Sequence, residues 1–125
     1  MLTDTSWGVR LERIGGAVIV SPSGELTGRS IERLRDIMRS REDGLELLVL
    51  DLRDLVHFGD DGVEFLVTEC ARSDDIPHAL AIVTGPLARR TLDEDPRCAD
   101  LVLHDDAEAA LAPHRERHRT RRQQR

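Results

Sequence analysis

The sequence predicts an α/β fold: an N-terminal β-hairpin leading into a mixed, mostly parallel sheet of four or five strands with about four helices. Three observations predict it. The run from Leu45 to Leu52 is apolar at consecutive positions through its centre, Leu47-Leu48-Val49-Leu50, the pattern of a strand covered on both faces. The segment after it places Val63, Leu66, Val67, Cys70 and Ala71 at helical spacing. After an opening hairpin, strand and helix patterns then alternate to the end, which calls for right-handed crossovers between parallel strands.

The elements follow in order. Trp7 to Ile14 alternates apolar and polar residues, as a half-buried strand does, and Gly15-Gly16 turns it into a second short strand, Ala17 to Val20. Ser21-Pro22-Ser23-Gly24 is expected to break that strand. Thr27 is placed to cap a helix running to about Arg41, with Ile31, Leu34, Ile37 and Met38 on one face. Asp43-Gly44 ends it. The Leu45–Leu52 strand comes next, then a short turn, and then the second helix from about Asp60 to Arg72. Ala79 to Val83 is another buried strand. Gly85-Pro86 opens a third helix, with Pro at its first position and Leu87, Ala88, Thr91 and Leu92 facing inward. A last strand is expected at Asp100 to Leu103. Asp105 followed by Glu108 resembles a capping box opening a final helix through about Ala112, closed by Pro113.

The bulk composition narrows the function classes. A chain of 125 residues suits one domain with its own core. With 39% apolar and only 2% aromatic residues, that core is aliphatic. No apolar run is long enough to span a bilayer, the N-terminus lacks a signal-peptide layout, and Cys70 and Cys98 fit no metal spacing. These point to a reduced cytoplasmic protein; whether the two cysteines pair is left open. The segment Pro113–Arg125 carries +5 against −6 for the whole chain, so residues 1–112 carry −11. An acidic body argues against nucleic-acid binding by the folded domain, since phosphate backbones need a basic footprint. Residues 1–112 are therefore expected to form the domain, and 113–125 a basic, disordered tail.

The chemistry-bearing stretch is Leu48 to Leu66. A buried strand ends in Asp51, and a polar loop leads to Gly59-Asp60-Asp61-Gly62 at the start of a helix. In open α/β sheets, sites form at such places, beyond the carboxyl ends of the strands. An acceptor-aspartate pocket built on Asp51, Asp60 and Asp61 would need a positioned lysine, and the chain has none. His57 with Asp60 and Asp61 lacks a fourth metal ligand nearby. No Ser-His-Asp arrangement or phosphate-binding glycine loop is present. No catalytic, cofactor or metal constellation stands out.

At Gly24-Glu25-Leu26, Asp51-Leu52, the Gly59-to-Gly62 turn and Gly85-Pro86 with Arg90 and Leu92, the chain resembles the STAS family, in particular the bacterial anti-sigma factor antagonists (anti-anti-sigma factors). The resemblance covers roughly residues 8–112 and rests on element order together with these landmarks. It implies a single STAS-like domain with a non-enzymatic role in transcription regulation. Members bind an anti-sigma factor that is also a serine kinase with a histidine-kinase-like ATP fold, and so release the sigma factor. The kinase ends the interaction by phosphorylating a Ser or Thr at the start of the second helix, in a pattern like Asp-Ser-Ser-Gly. On this chain Gly62 falls on the glycine, Asp61 on the phosphoacceptor, Asp60 on the preceding Ser and Gly59 on the Asp. Glu25, Leu26 and Thr27 fall on the loop that lines the same surface. The resemblance thus implies a partner-binding surface of Glu25, Thr27, Gly59, Asp60, Asp61 and Gly62. Phe65 lies off the apolar stripe and is expected as an exposed contact, and Arg89 and Arg90 are secondary candidates.

Asp61 is the departure from the pattern. A carboxylate cannot form a stable phosphoester, and it carries about −1 where phosphoserine carries about −1.5 to −2. Three readings stay open: an antagonist held permanently in a phosphate-like state, a non-phosphorylatable scaffold or subunit of a stressosome-like or transporter-associated complex, and a well-capped helix start without further meaning. The sequence also leaves open a homodimer, and whether Thr27, Ser30 or another hydroxyl accepts phosphate.

Overall fold

The computed structural model describes residues 7–73 and 78–123, with side chains of residue 73 and of 117–123 excepted. The strands are β1 (Trp7–Ile14), β2 (Ala17–Glu25), β3 (Leu47–Asp51), β4 (Asp54–His57), β5 (Ala79–Val83) and β6 (Leu103–His104). The helices are α1 (Gly28–Ser40), α2 (Asp60–Ser73), α3 (Pro86–Asp93) and α4 (Ala107–Gln123), with a 3₁₀ turn at Pro96–Cys98. One sheet runs in the order β1-β2-β3-β5-β6, antiparallel only between β1 and β2, while β4 pairs separately with the far end of β2. The mixed, mostly parallel sheet with four α-helices is the expected architecture, with one strand more than expected. No helix among the described residues is long and apolar enough to cross a membrane.

The consecutive apolar runs are explained by two covered faces. Val18, Val20, Leu48, Leu50 and Ile82 point into a core shared with α1, α2 and α3. Their neighbours Ala17, Ile19, Leu47, Val49, Ala81 and Val83 point the other way, under Ala110 and Leu111 of α4. Side chains alternate along each strand, so helices on both sides demand apolar residues at every position.

Several local expectations are corrected. The Ser21–Gly24 segment continues β2 instead of breaking it. Residues 17–20 pair with β3 and 23–25 with β4, so Pro22 sits between the two partners, where no ladder on that side asks for its missing N–H. The last strand starts at Leu103, not Asp100. The 3₁₀ turn, capped by the Asp95 carboxylate accepting from the Arg97 N–H at 2.9 Å, takes up the preceding chain. The cap of α4 is Asp106, accepting from the Ala109 N–H at 2.8 Å, while Asp105 pairs with Arg89 at 2.8 Å. Leu87 is exposed; Ala88 and Leu92 carry the inner face of α3.

Nor does Pro113 close α4. An interior Pro costs a helix about 3 kcal/mol, yet the helix passes through it to Gln123. Ala110, Leu111 and His114 are buried against the sheet on either side of that position, and His114 Nδ1 lies 3.8 Å from Glu46 Oε2. Pro113 itself faces solvent.

The α1–α2 contact is ionic as well as apolar. Glu69, 3% exposed, lies within 3.5 Å of Arg35 Nε, 3.6 Å of Arg39 and 3.8 Å of Arg72. Arg72 also forks onto Glu42 at 2.7 and 3.1 Å, which holds the Glu42 carboxyl below its ordinary range. Removing a buried partner from such a set leaves the opposite charges uncompensated. Because the three arginines are partly solvated, Glu69→Ala is expected to cost about 1–3 kcal/mol, and Arg39→Ala under about 1 kcal/mol. Urea unfolding of both variants checks the order; equal losses would contradict it.

Candidate partner-binding surface

Two loops meet at the carboxyl ends of the parallel strands, and strand pairing brings them together. The chain leaves β3 at Asp51, turns through Leu52 and Arg53, and returns as β4 alongside the end of β2. Glu25 stands opposite His57, so the loop from Glu25 to Thr27 lies beside the loop from Phe58 to Asp61. The register shifts between Gly24 and Glu25: Leu55 opposes Gly24, His57 opposes Glu25, and Val56 is the extra residue of a bulge. Gly24 has φ 84°, a conformation suited to glycine, and Val56 is turned out to 71% exposure.

The turn that launches β4 is held by Asp51. Its carboxylate accepts from the Arg53 N–H at 3.1 Å, from Nε at 3.0 Å and from Nη2 at 2.8 Å. Burial alone would raise the Asp51 carboxyl, but Arg53's side-chain and backbone hydrogen bonds outweigh it and hold the group below its ordinary value. The same pairing raises Arg53. Asp51 therefore builds the loop and is not part of an acidic pocket.

Gly62 is fixed by packing. A β-carbon there would lie 2.6 Å from Cε1 of Phe58, whose ring is buried. Phe58 is tied from the other side, its carbonyl accepting from the Thr91 hydroxyl of α3 at 3.2 Å. The first turn of α2 closes through the Val63 N–H donating to the Gly59 carbonyl at 3.0 Å. Asp60 and Asp61 stand in that first turn, both exposed, and no hydrogen bond or ion pair engages either carboxylate among the described residues. The helix dipole favours negative charge here by about 0.3–1 kcal/mol per residue.

Across the surface, Glu25 and Thr27 are exposed and Leu26 is buried. Ser30 secures this loop: its hydroxyl accepts from the Thr27 N–H at 2.8 Å and donates to the Glu25 carbonyl at 3.0 Å. At 3% exposure, Ser30 is closed to a modifying enzyme, whereas Thr27 is an exposed residue.

The structure thus brings together Glu25, Thr27, Gly59, Asp60, Asp61 and Gly62. Phe65 does not join them. It is 1% exposed within the core, with the Arg35 guanidinium 5.5 Å above its ring. The expectation of an exposed contact is corrected because α1 lies alongside α2, so the buried arc of α2 takes in Phe65 and Glu69 beyond the Val63–Leu66 stripe. Gly62, Phe65, Glu69 and Arg72 stand at helical spacing, a second stripe that polar residues obscure. Arg89 is tied to Asp105; Arg90 is exposed.

No family model matches the sequence, and no curated protein matches it. Solved structures do match the fold. An anti-sigma factor antagonist from Mycobacterium paratuberculosis matches with a TM-score of 0.75, covering 92% of this chain and 99% of that chain at 23% identity. The anti-sigma factor antagonist SpoIIAA in its unphosphorylated form matches with a TM-score of 0.67, covering 86% of this chain and 96% of that chain at 14% identity. The chain has the STAS fold. What it shares with these structures is this fold.

Within the STAS fold, sequence reading missed two exposed apolar residues. Val56 belongs to β4, which runs into the loop carrying Gly59, and Leu87, 44% exposed, belongs to α3, which packs against β4. Neither stood out, because Val56 lies in a four-residue strand with only Leu55 buried, and Leu87 sits at an inward-facing spacing. Among the described residues no three His, Cys, Asp or Glu side chains gather as metal ligands. Neither cysteine is in a disulfide among the described residues, and burial pushes the Cys98 thiol up, keeping it protonated.

The sign of the Asp51 effect gives a pH test. Its folded value lies below its unfolded one, about 3.9. The stabilisation is therefore present above that value and lost as pH falls through the folded one. Arg53→Ala is expected to cost about 1–2 kcal/mol at pH 7, given that Arg53 is partly solvated. The difference from wild type should shrink in strong acid. Urea unfolding at neutral and acid pH checks this; a pH-independent difference would contradict it.

Proposed function

We propose that this chain is an anti-sigma factor antagonist that works by protein–protein recognition, without catalysis of its own. The observation that carries the reading is the pair of exposed, unengaged carboxylates at the start of α2, beside Glu25 and Thr27, on a fold shared with anti-sigma factor antagonists. The partner is an anti-sigma factor of the kinase type, as the resemblance implies, and the contact surface comprises Glu25, Thr27, Gly59, Asp60, Asp61 and Gly62. Two exposed carboxylates fit poorly against a partner pocket built for a neutral hydroxyl, so Asp61 holds the antagonist in a weakly binding, phosphate-like state.

Asp61 stands where the resemblance puts the phosphoacceptor and carries a permanent charge, so the usual cycle has no acceptor at that position. That residue is also the observation favouring a second reading, a scaffold bound to a fixed partner and never switched. The two differ in what Asp61→Ser does. An antagonist held in a phosphate-like state should, with a kinase-type anti-sigma factor, gain about tenfold or more in affinity. It should also gain phosphate at position 61, read by titration calorimetry and by mass spectrometry of the modified peptide. A variant that neither binds better nor takes phosphate removes the phosphate-like state and leaves the scaffold.

A further inference from the structure

The sheet ends in a strand whose outer edge no other strand pairs with among the described residues. β1 is the outer strand, eight residues long, and it keeps an unbroken register with β2 from Trp7 opposite Gly24 to Ile14 opposite Ala17. Exposed edges are ordinarily blunted by shortness, proline, a bulge or a covering element. β1 is not short and has neither Pro nor bulge, and Leu11 stands 36% exposed on it.

Charge on an edge strand can also prevent pairing, so the pattern of charge matters. Arg10, Glu12 and Arg13 are the charged residues of β1. Suppose two copies pair β1 to β1 antiparallel about a two-fold axis normal to the sheet. Matching faces then require residues of like parity to oppose each other. Centring the axis on position 10 sets Arg10 against Arg10, and centring it on 12 sets Glu12 against Glu12. Centring it on 9 confines the described overlap to residues 7–11. Centring it on Leu11 sets Arg10 of each copy against Glu12 of the other, Leu11 against Leu11, and Val9 against Arg13, over residues 8–14. Both charge pairs are then opposite in sign, and opposed side chains of this kind attract.

We propose that β1 is a docking edge for a second copy of this chain, paired antiparallel about Leu11. The two faces agree with this register. Val9 packs on the core shared with α1, which sets Leu11 on the same side, while Ile14 packs under α4 and sets Arg10 and Glu12 on that side. On the α1 side a groove of about 540 Å³ lies between the start of β1 and α1, lined by Trp7, Val9, Glu25, Thr27, Arg33 and Ile37 among others; Leu11 lies outside it. Among the described residues Arg10 has one competing partner, Asp54 at 3.9 Å, with both side chains largely solvated, and such pairs hold weakly. The interface is isologous, so it closes at two copies and does not propagate.

The test is sedimentation velocity of the full chain from micromolar to sub-millimolar concentration. Wild type is expected to dimerise reversibly. Glu12→Arg sets arginine against arginine and should weaken the dimer about tenfold or more. The double variant Arg10→Glu/Glu12→Arg restores opposite pairs and should dimerise as wild type does, while circular dichroism confirms that each variant is folded. In a Cys70→Ala background, Leu11→Cys should cross-link to itself on mild oxidation, and Arg13→Cys should not. A monomeric wild type, a dimer indifferent to Glu12→Arg, failure of the double variant to recover, or equal cross-linking at 11 and 13 would overturn the proposal.

Discussion

Everything distinctive about this molecule depends on β2 serving two parallel partners in succession. Its first half is paired with β3 and its last three residues with β4. β3 and β4 are consecutive in the chain, separated only by Leu52 and Arg53, so the chain must step sideways and resume alongside the same strand. That step carries the β4–α2 loop to the β2–α1 loop. Without it, Asp61 and Glu25 would emerge from separate parts of the sheet edge.

The step is secured by polar groups and the loops beyond it by packing. Asp51 accepts from three Arg53 donors at the turn, the backbone N–H, Nε and Nη2, and the Leu52 N–H donates to the Val83 carbonyl at 2.8 Å, tying it to β5. Past β4, Phe58 is clamped between Gly62 and Thr91, which sets where α2 begins. Ser30 does the corresponding work for α1. Among the described residues no hydrogen bond or ion pair engages the carboxylates themselves, so their positions follow from the backbone. Rigid backbone presenting unengaged side chains suits recognition, where little ordering remains to be done on binding.

Much of this was legible in the sequence, and the failures have physical causes. β3 and β5 announced themselves because burial on both faces leaves no polar residue to confuse the pattern. The helix starts at Gly28, Asp60 and Pro86 followed from caps and periodicity, and with them most of the surface residues. β4 was illegible, since Asp54, Val56 and His57 face solvent and only Leu55 is buried. The end of β2 was hidden by Pro22 and Gly24, which usually stop strands and here sit at a gap between partners and at a bulge. Phe65 was misplaced because its stripe runs through Glu69 and Arg72, and buried charge does not register as apolar periodicity. α4 was cut short at Pro113 because the compensation, burial of His114 beyond it, is tertiary.

The consequence for function lies in the pairing of Glu25 with His57, because it makes one surface of residues more than thirty positions apart in sequence. The most direct measurement of that claim is nuclear magnetic resonance of the free protein, reading cross-strand Overhauser contacts and amide exchange along β2 and β4. The account predicts contacts between Gly24 and Leu55 and between Glu25 and His57, with ladder amides exchanging slowly. Missing contacts, with β4 amides exchanging as fast as those of an open loop, would contradict it and separate the two loops.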